Sequence, residues 1–131
     1  GQIIKALLEG VTHRCAEGQL LFEEAGIRIH LYRATGAGAR SESWLQLMAD
    51  VLGVSVEGTQ VVDTRTLGAA ILAGIGSGAY AGFEEAVETA VHVERRFMPN
   101  PERHAGYQVR VEQYRELYPL LGDYLHRLHD M

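Results

Sequence analysis

The chain has 131 residues, 47% of them hydrophobic and 22% charged, with 12 basic against 17 acidic side chains and a formal net charge of -5. That length supports one domain with a modest core and excludes two ordinary ones, and the composition excludes a disordered chain. No cluster of Lys or Arg stands free of acids, since Arg95, Arg96 and Arg103 are flanked by Glu94 and Glu102, so no nucleic-acid or anionic-membrane surface is expected.

Residues 2–24 read as a helix. Ile4, Leu7, Leu8, Val11 and Cys15 form one apolar stripe that Leu20 and Leu21 extend, with Gly10 and Gly18 as points of close approach and Gly26 as the stop. Ile27 to Ala34 alternates apolar and polar side chains and reads as a strand, followed by the small-residue turn Thr35-Gly36-Ala37-Gly38-Ala39. A helix opens at once, with Ser43 and Gln46 as a capping box and Trp44, Leu47, Met48, Val51 and Leu52 as its apolar stripe; Gly53 ends it. Val54-Ser55-Val56 is a second strand, returning parallel to the first.

A small-residue helix is expected from about Thr64 to Ser77, with Leu67, Ile71 and Ile75 as bulky positions and Gly68, Ala69, Ala70, Ala73 and Gly74 able to lie on something flat. Phe83 to Val93 is a further amphipathic helix, Pro99 and Pro101 force an extended break, and Glu102 to about Leu128 closes the chain as a long helix. Two parallel strands make too small a sheet for three or more apolar helix faces. Strands from another chain, or earlier strands of a larger domain, are expected to complete it, and self-association into a homo-oligomer follows if nothing else does.

Cys15 is the only cysteine, which excludes an intrachain disulfide and suits a reducing, cytoplasmic compartment. The weakly polar stretch from Leu67 to Tyr80 holds four glycines and is shorter than a membrane span, and no secretory leader is read at the N-terminus.

The chemistry concentrates at the glycine turn. Glycines let a ligand approach the backbone, and the helix that follows offers unpaired amides and a partial positive charge to a phosphate. One reading is a dinucleotide fold, with Glu57 as the ribose-binding acid after the second strand. In that reading Ser41 replaces the third glycine of the fingerprint, and a long helix precedes what is normally a domain's first strand. A tight turn that merely packs is the other plain possibility.

A third reading rests on resemblance. Glu9-Gly10-Val11, the run Ala34-Thr35-Gly36-Ala37-Gly38-Ala39-Arg40-Ser41, Trp44-Leu45-Gln46, Ala49-Asp50-Val51-Leu52-Gly53, Leu67-Gly68-Ala69-Ala70, Phe83-Glu84-Glu85-Ala86, Pro99-Asn100-Pro101 and Tyr107…Tyr114…Leu117-Tyr118 fall in one order and spacing. That pattern resembles the FGGY family of carbohydrate kinases, which includes xylulose, glycerol, gluconate, ribulose and fuculose kinases. The resemblance implies an α/β, actin-like ATPase (ribonuclease-H-like) domain. Residues 1–131 would be the rear, nucleotide-binding portion of its C-terminal domain, with two parallel strands, flanking helices, and the earlier strands and the sugar-binding domain upstream.

It further implies ATP-dependent phosphorylation of a sugar or polyol hydroxyl, with ATP and Mg²⁺ in an interdomain cleft. Carried over, Gly36, Ala37 and Gly38 line the nucleotide, and Ser41 lies near the adenine. Ala37 replaces the middle glycine of the family's usual Gly-Gly-Gly-Ala, a departure that matters if the position needs positive φ. The aspartate base, the Mg²⁺ acids and the phosphate-binding Gly-Thr segment would lie upstream. No catalytic or metal residue is therefore expected in the chain, and alone it is expected to be inactive. A stand-alone dinucleotide-binding or structural module is the alternative.

Of the remaining residues, His126 and His129 form a His-x-x-His pair with Asp130 beside it, the one metal-like pattern, and solvated terminal charges are the plainer account. His13, His30, His92 and His104 read as surface residues, Cys15 as buried filler, Trp44 as core, Asp50 as polar-face, and Tyr107, Tyr114 and Tyr118 as packing residues.

Overall fold

The structure is a computed structural model and describes residues 1–61 and 63–129. Its elements in chain order are helix α1 (Gln2–Glu24), strand β1 (Leu31–Ala34), a 3₁₀ turn (Ala37–Arg40), α2 (Glu42–Leu52), β2 (Ser55–Thr59), α3 (Thr64–Gly76), α4 (Phe83–Ala90), β3 (Val93–Phe97) and α5 (Pro101–His129). The His126–His129–Asp130 pattern reaches beyond the described residues. Among those described, no three His, Cys, Asp or Glu side chains converge as a metal site, and no helix is long and apolar enough to cross a membrane.

The sheet has three strands in the order β1-β2-β3. β2 pairs parallel with β1 from Leu31↔Ser55 to Ala34↔Gly58, as the strand–helix–strand pattern predicts. Pairing begins only at Leu31, because β2 begins at Ser55; residues 27–30 have the alternation of a strand but no strand beside them. β2 runs on to Thr59, past the expected Val56, because β3 supplies antiparallel partners along it, from Val56↔Phe97 to Thr59↔Val93.

β3 itself was not expected. The predicted helix over 83–93 stops at Ala90, and the charged segment Val93–Phe97 forms an edge strand whose charges find partners from distant segments. α5 starts at Pro101, the helical position where a missing N–H costs nothing, with the Asn100 side chain accepting from Arg103 N at 3.0 Å.

α2 is the centre of the fold. One side, through Leu45 and Ala49, meets Val56 of β2 with Tyr32, Ala34 and Phe97 packed around them. The other, through Val51 and Leu52, meets Ala16 of α1 and Val111 of α5. Gly53 closes the helix in the left-handed conformation, φ 70, with the His104 ring tight against it. Gly10 and Gly18 mark no close approach, since a Cβ at either meets nothing within 4 Å; the small-residue face of α3 is likewise open at Gly68, while Gly74 is closed off by the Tyr80 ring.

The sheet face turned away from α2 carries Arg33, Glu57 and Arg96 in register across all three strands. Glu57 is buried to 1% exposure beneath the two arginines. Arg33 Nη2 donates to its Oε2 at 3.0 Å and Arg96 Nε to its Oε1 at 3.0 Å. The Arg96 hydrogen bonds, then those of Arg33, outweigh the burial and hold the Glu57 carboxyl below its ordinary value near 4.5.

A carboxyl depressed on folding adds stability that is complete above the unfolded value and is lost as pH falls through the folded one. Glu57→Gln is therefore expected to cost about 1–2 kcal/mol at neutral pH and to flatten the acid limb of stability against pH. The cost is less than for a pair sealed from water, because both arginines reach solvent. Urea midpoints across the acid range measure this, and an unchanged acid limb would rule out the pair as its source.

Candidate functional site

The turn lies where the alternation of β1 ends and the periodicity of α2 begins, at the carboxyl ends of the two parallel strands. Open α/β sheets bind ligands at that end. Gly36 has φ 82 and ψ -176, a conformation essentially reserved for glycine, which swings the chain out of the strand. Ala39 N then bonds Gly36 O at 3.0 Å and Ser41 N bonds Gly38 O at 3.0 Å, closing the 3₁₀ turn. Among the described residues nothing accepts from the amides of Gly36, Ala37 or Gly38. Three successive unpaired N–H groups ahead of a helix N-terminus are donors that an anion can use.

Ser41, not Ser43, caps α2. Its Oγ accepts from Trp44 N at 3.3 Å, and the helix starts at Glu42. Ser43 has the Gln three residues on that a capping box calls for and Ser41 does not; the 3₁₀ turn, which brings the chain into the helix by Ser41, decides between them. Gln46 is then free of any capping duty and donates instead to Asp50 Oδ1 and Met98 O, each at 2.9 Å. Ala37 is exposed, and no residue other than glycine has positive φ among those described, so its methyl group sits there without backbone strain. Gly38 is tied to the core: a Cβ there would overlap the Trp44 ring, lying 2.9 Å from Cε3. Trp44 Nε1 donates to Thr12 Oγ1 at 3.3 Å, so the indole is committed to packing.

Beside the turn a cleft of about 240 Å³ runs between Arg33 and Thr35 on one side, Thr59, Val61, Thr64 and Leu67 on another, and Val87, Val91 and His92 on the third. The contribution from the end of α4 was not foreseen; its apolar positions read only as ordinary packing. A larger groove, about 990 Å³, lies elsewhere between the first half of α1, the start of α2 and α5, and includes none of the turn residues. Its acids Asp50 and Glu42 are already paired, with Arg103 and Arg95.

Several other positions differ from their sequence reading. Glu57 is locked between its arginines and cannot serve a ribose, which removes the acid that the dinucleotide reading requires. Asp50 is buried on α2 and accepts from Asn100 N at 2.9 Å. His13 is buried against Tyr107 and Tyr114, and burial pushes its imidazole below the ordinary value. His104 is half-buried with Nδ1 3.1 Å from Asp50 O, while Cys15 is exposed. Tyr107 donates to Glu9 Oε1 at 3.0 Å, a packing role as expected.

Residues 1–77 match the model of the FGGY family of carbohydrate kinases, C-terminal domain. The chain belongs to the FGGY family. It is 32% identical over 126 residues to the L-xylulose/3-keto-L-gulonate kinase of Escherichia coli K12, covering 96% of this chain and 25% of that protein. It is 35% identical over 118 residues to the autoinducer-2 kinase of Yersinia pestis, covering 88% of this chain and 22% of that protein. The crystal structure of xylulose kinase from Rhodospirillum rubrum superposes with a TM-score of 0.80 at 28% identity, over 96% of this chain and 26% of that one. This FGGY chain thus has part of the actin-like ATPase fold, with a three-stranded mixed sheet where two parallel strands were expected, and spans about a quarter of the length of the relatives it matches.

Proposed function

We propose that this chain forms the nucleotide-facing part of an ATP-dependent carbohydrate kinase that phosphorylates a sugar or polyol hydroxyl in the cytoplasm. The observation that carries the reading is the run of three amides, Gly36 to Gly38, that have no acceptor among the described residues, at the carboxyl end of β1 and ahead of α2, in a chain whose relatives are sugar kinases. Phosphoryl transfer relies on holding the phosphates in line and offsetting their charge. The amides and the N-terminal end of α2 would do both for the nucleotide, and the cleft beside them offers apolar walls to a base or ribose.

Gly36, Ala37 and Gly38 are the backbone donors in this reading. Ser41, whose hydroxyl already caps α2, contributes by fixing the helix rather than by side-chain contact. Mg²⁺ would travel with ATP, held by its phosphates and by acids other than the residues described. No described side chain is assigned as the base for the sugar hydroxyl. The chain's part is positional, and phosphoryl transfer by these residues alone is not expected.

The test is a titration of the isotope-labelled chain with ATP, followed by amide shifts. The amides of Gly36, Ala37, Gly38 and Ser41 should move first and saturate together. Shifts concentrated on another face, or displacement of ATP by NADH at the same amides, would overturn the assignment.

A further inference from the structure

Two neighbouring residues of α1 face two different helices. Thr12 is 1% exposed and faces α2, its Oγ1 accepting from Trp44 Nε1 at 3.3 Å. His13 is 7% exposed and faces α5, its ring centred 6.3 Å from that of Tyr107 and 5.5 Å from that of Tyr114 and tilted against both. The imidazole Nε2 is sealed from water and has no hydrogen-bond partner among the described residues. Buried polar atoms are as a rule paired, and an exception marks strain or function. Nε2 is sealed by the chain's own helices, so polypeptide packed against the outside leaves it without a partner.

The surroundings offer no welcome to a proton. Glu9, one turn earlier on α1, is the only carboxylate acting on the ring among the described residues, and its Oε1 is already engaged. Tyr107 donates to that oxygen at 3.0 Å, with Lys5 at 3.6 Å and Arg110 at 3.4 Å. Arg110, on α5, opposes a second positive charge, and Tyr107 and Tyr114 present their rings. α2 contributes Trp44, by way of Thr12, and no charge among the described residues. Burial outweighs the pull of Glu9 and, with Arg110, holds the imidazole below its ordinary value near 6.5.

We propose that His13 is an acid-sensitive release between α1 and α5 that controls the turn at Gly38. A proton makes the unpaired ring an unpaired cation, which water reaches only when α5 parts from α1. Thr12 and His13 are consecutive, so movement that frees the imidazole also frees the hydroxyl that holds Trp44, and the Trp44 ring is what Gly38 rests against. The hold is complete above pH 6.5 and weakens as pH falls from there towards the folded value, because the released state takes up the proton first. A slackened turn should bind ATP less well, a last step that rests on the nucleotide reading.

The test compares the full chain at about pH 7.5 and about pH 5.5, where Asp and Glu side chains are still ionised. At the lower value, exchange of the α5 amides between Tyr107 and Tyr114, corrected for intrinsic rate, should quicken by about tenfold for each unit separating the free and held values. Trp44 emission should move to the red with it. His13→Phe, which keeps a ring between the tyrosines and takes no proton, should abolish both changes, and His13→Gln should do the same if the phenylalanine variant does not fold. ATP affinity should fall further in the wild type than in the variant, a comparison that cancels the proton the nucleotide's own phosphate takes up near about pH 6. A wild type whose exchange and emission stay fixed, or a pH dependence that survives in a folded variant, overturns the proposal. Faster exchange with unchanged emission overturns the link to the turn. If exchange and emission change as expected while ATP shifts amides on another face, the nucleotide reading fails and the release at His13 stands.

Discussion

Replacing Asp50 by alanine is expected to cost about 3 kcal/mol of folding stability. Its carboxylate is 1% exposed and accepts from Asn100 N at 2.9 Å, Gln46 Nε2 at 2.9 Å and Arg103 Nη1 at 3.3 Å. These bonds fasten the bend between β3 and α5 to the last turn of α2, the helix on which both halves of the core rest. Alanine leaves the Asn100 amide without its acceptor at the point where the Asn100 side chain starts α5.

Gln46 keeps its second acceptor, Met98 O, and Arg103 is mostly exposed, so those two losses are partly recovered in water. Asp50→Asn should cost less, because an amide oxygen still accepts from Asn100 and Gln46, and the acceptor lost with the charge is the one facing Arg103, which reaches solvent. Denaturant midpoints give the free energies, and faster hydrogen exchange in the first turns of α5 locates the damage. A loss below about 1 kcal/mol for alanine would mean that water replaces the carboxylate and the fastening is not structural.

What was readable from the sequence is what local pattern controls. α1, α2 and α5 follow from apolar spacing and their flanking glycines or prolines, and the parallel β1–β2 pair follows from strand–helix–strand order. β3 was not readable, because Glu94, Arg95 and Arg96 hide an edge strand whose pairing is paid for by distant partners: Glu42 for Arg95, Glu57 for Arg96. The α1 stripe shows a different limit. Periodicity identified Ile4, Leu7, Val11 and Cys15 as apolar, but not which face this chain covers; the packed residues are Thr12, His13 and Ala16, on the other side of the helix. Hence Cys15 and His13 stand in each other's expected places.

At the turn, the need for glycine was legible and its cause was not. Gly36 is required by its backbone angles and Gly38 by the neighbouring indole, while Ala37 between them sits without positive φ and so without backbone strain.

Gly38→Ala is expected to cost about 2 kcal/mol and to loosen nucleotide binding with it. The penalty is steric. Gly38 is not among the positive-φ glycines, so alanine gains slightly from a stiffer unfolded chain, but its methyl must displace the Trp44 ring. That ring is tethered to α1 through Thr12, so moving it either breaks the indole hydrogen bond or pushes the turn away from α2. Trp44 is the only tryptophan, and its emission reports the first outcome directly.

Gly36→Ala provides the contrast. A Cβ there meets nothing within 4 Å, yet φ 82 with ψ -176 strains any side chain by about 1–3 kcal/mol, so stability falls with Trp44 emission unchanged. If Gly38→Ala unfolds at the wild-type midpoint with native emission, the indole yields freely and the turn is not braced by it. If both variants weaken ATP binding but only Gly38→Ala shifts the tryptophan, the amides are held in place from two sides: by glycine geometry where the strand ends, and by the Trp44–Thr12 brace where the helix begins.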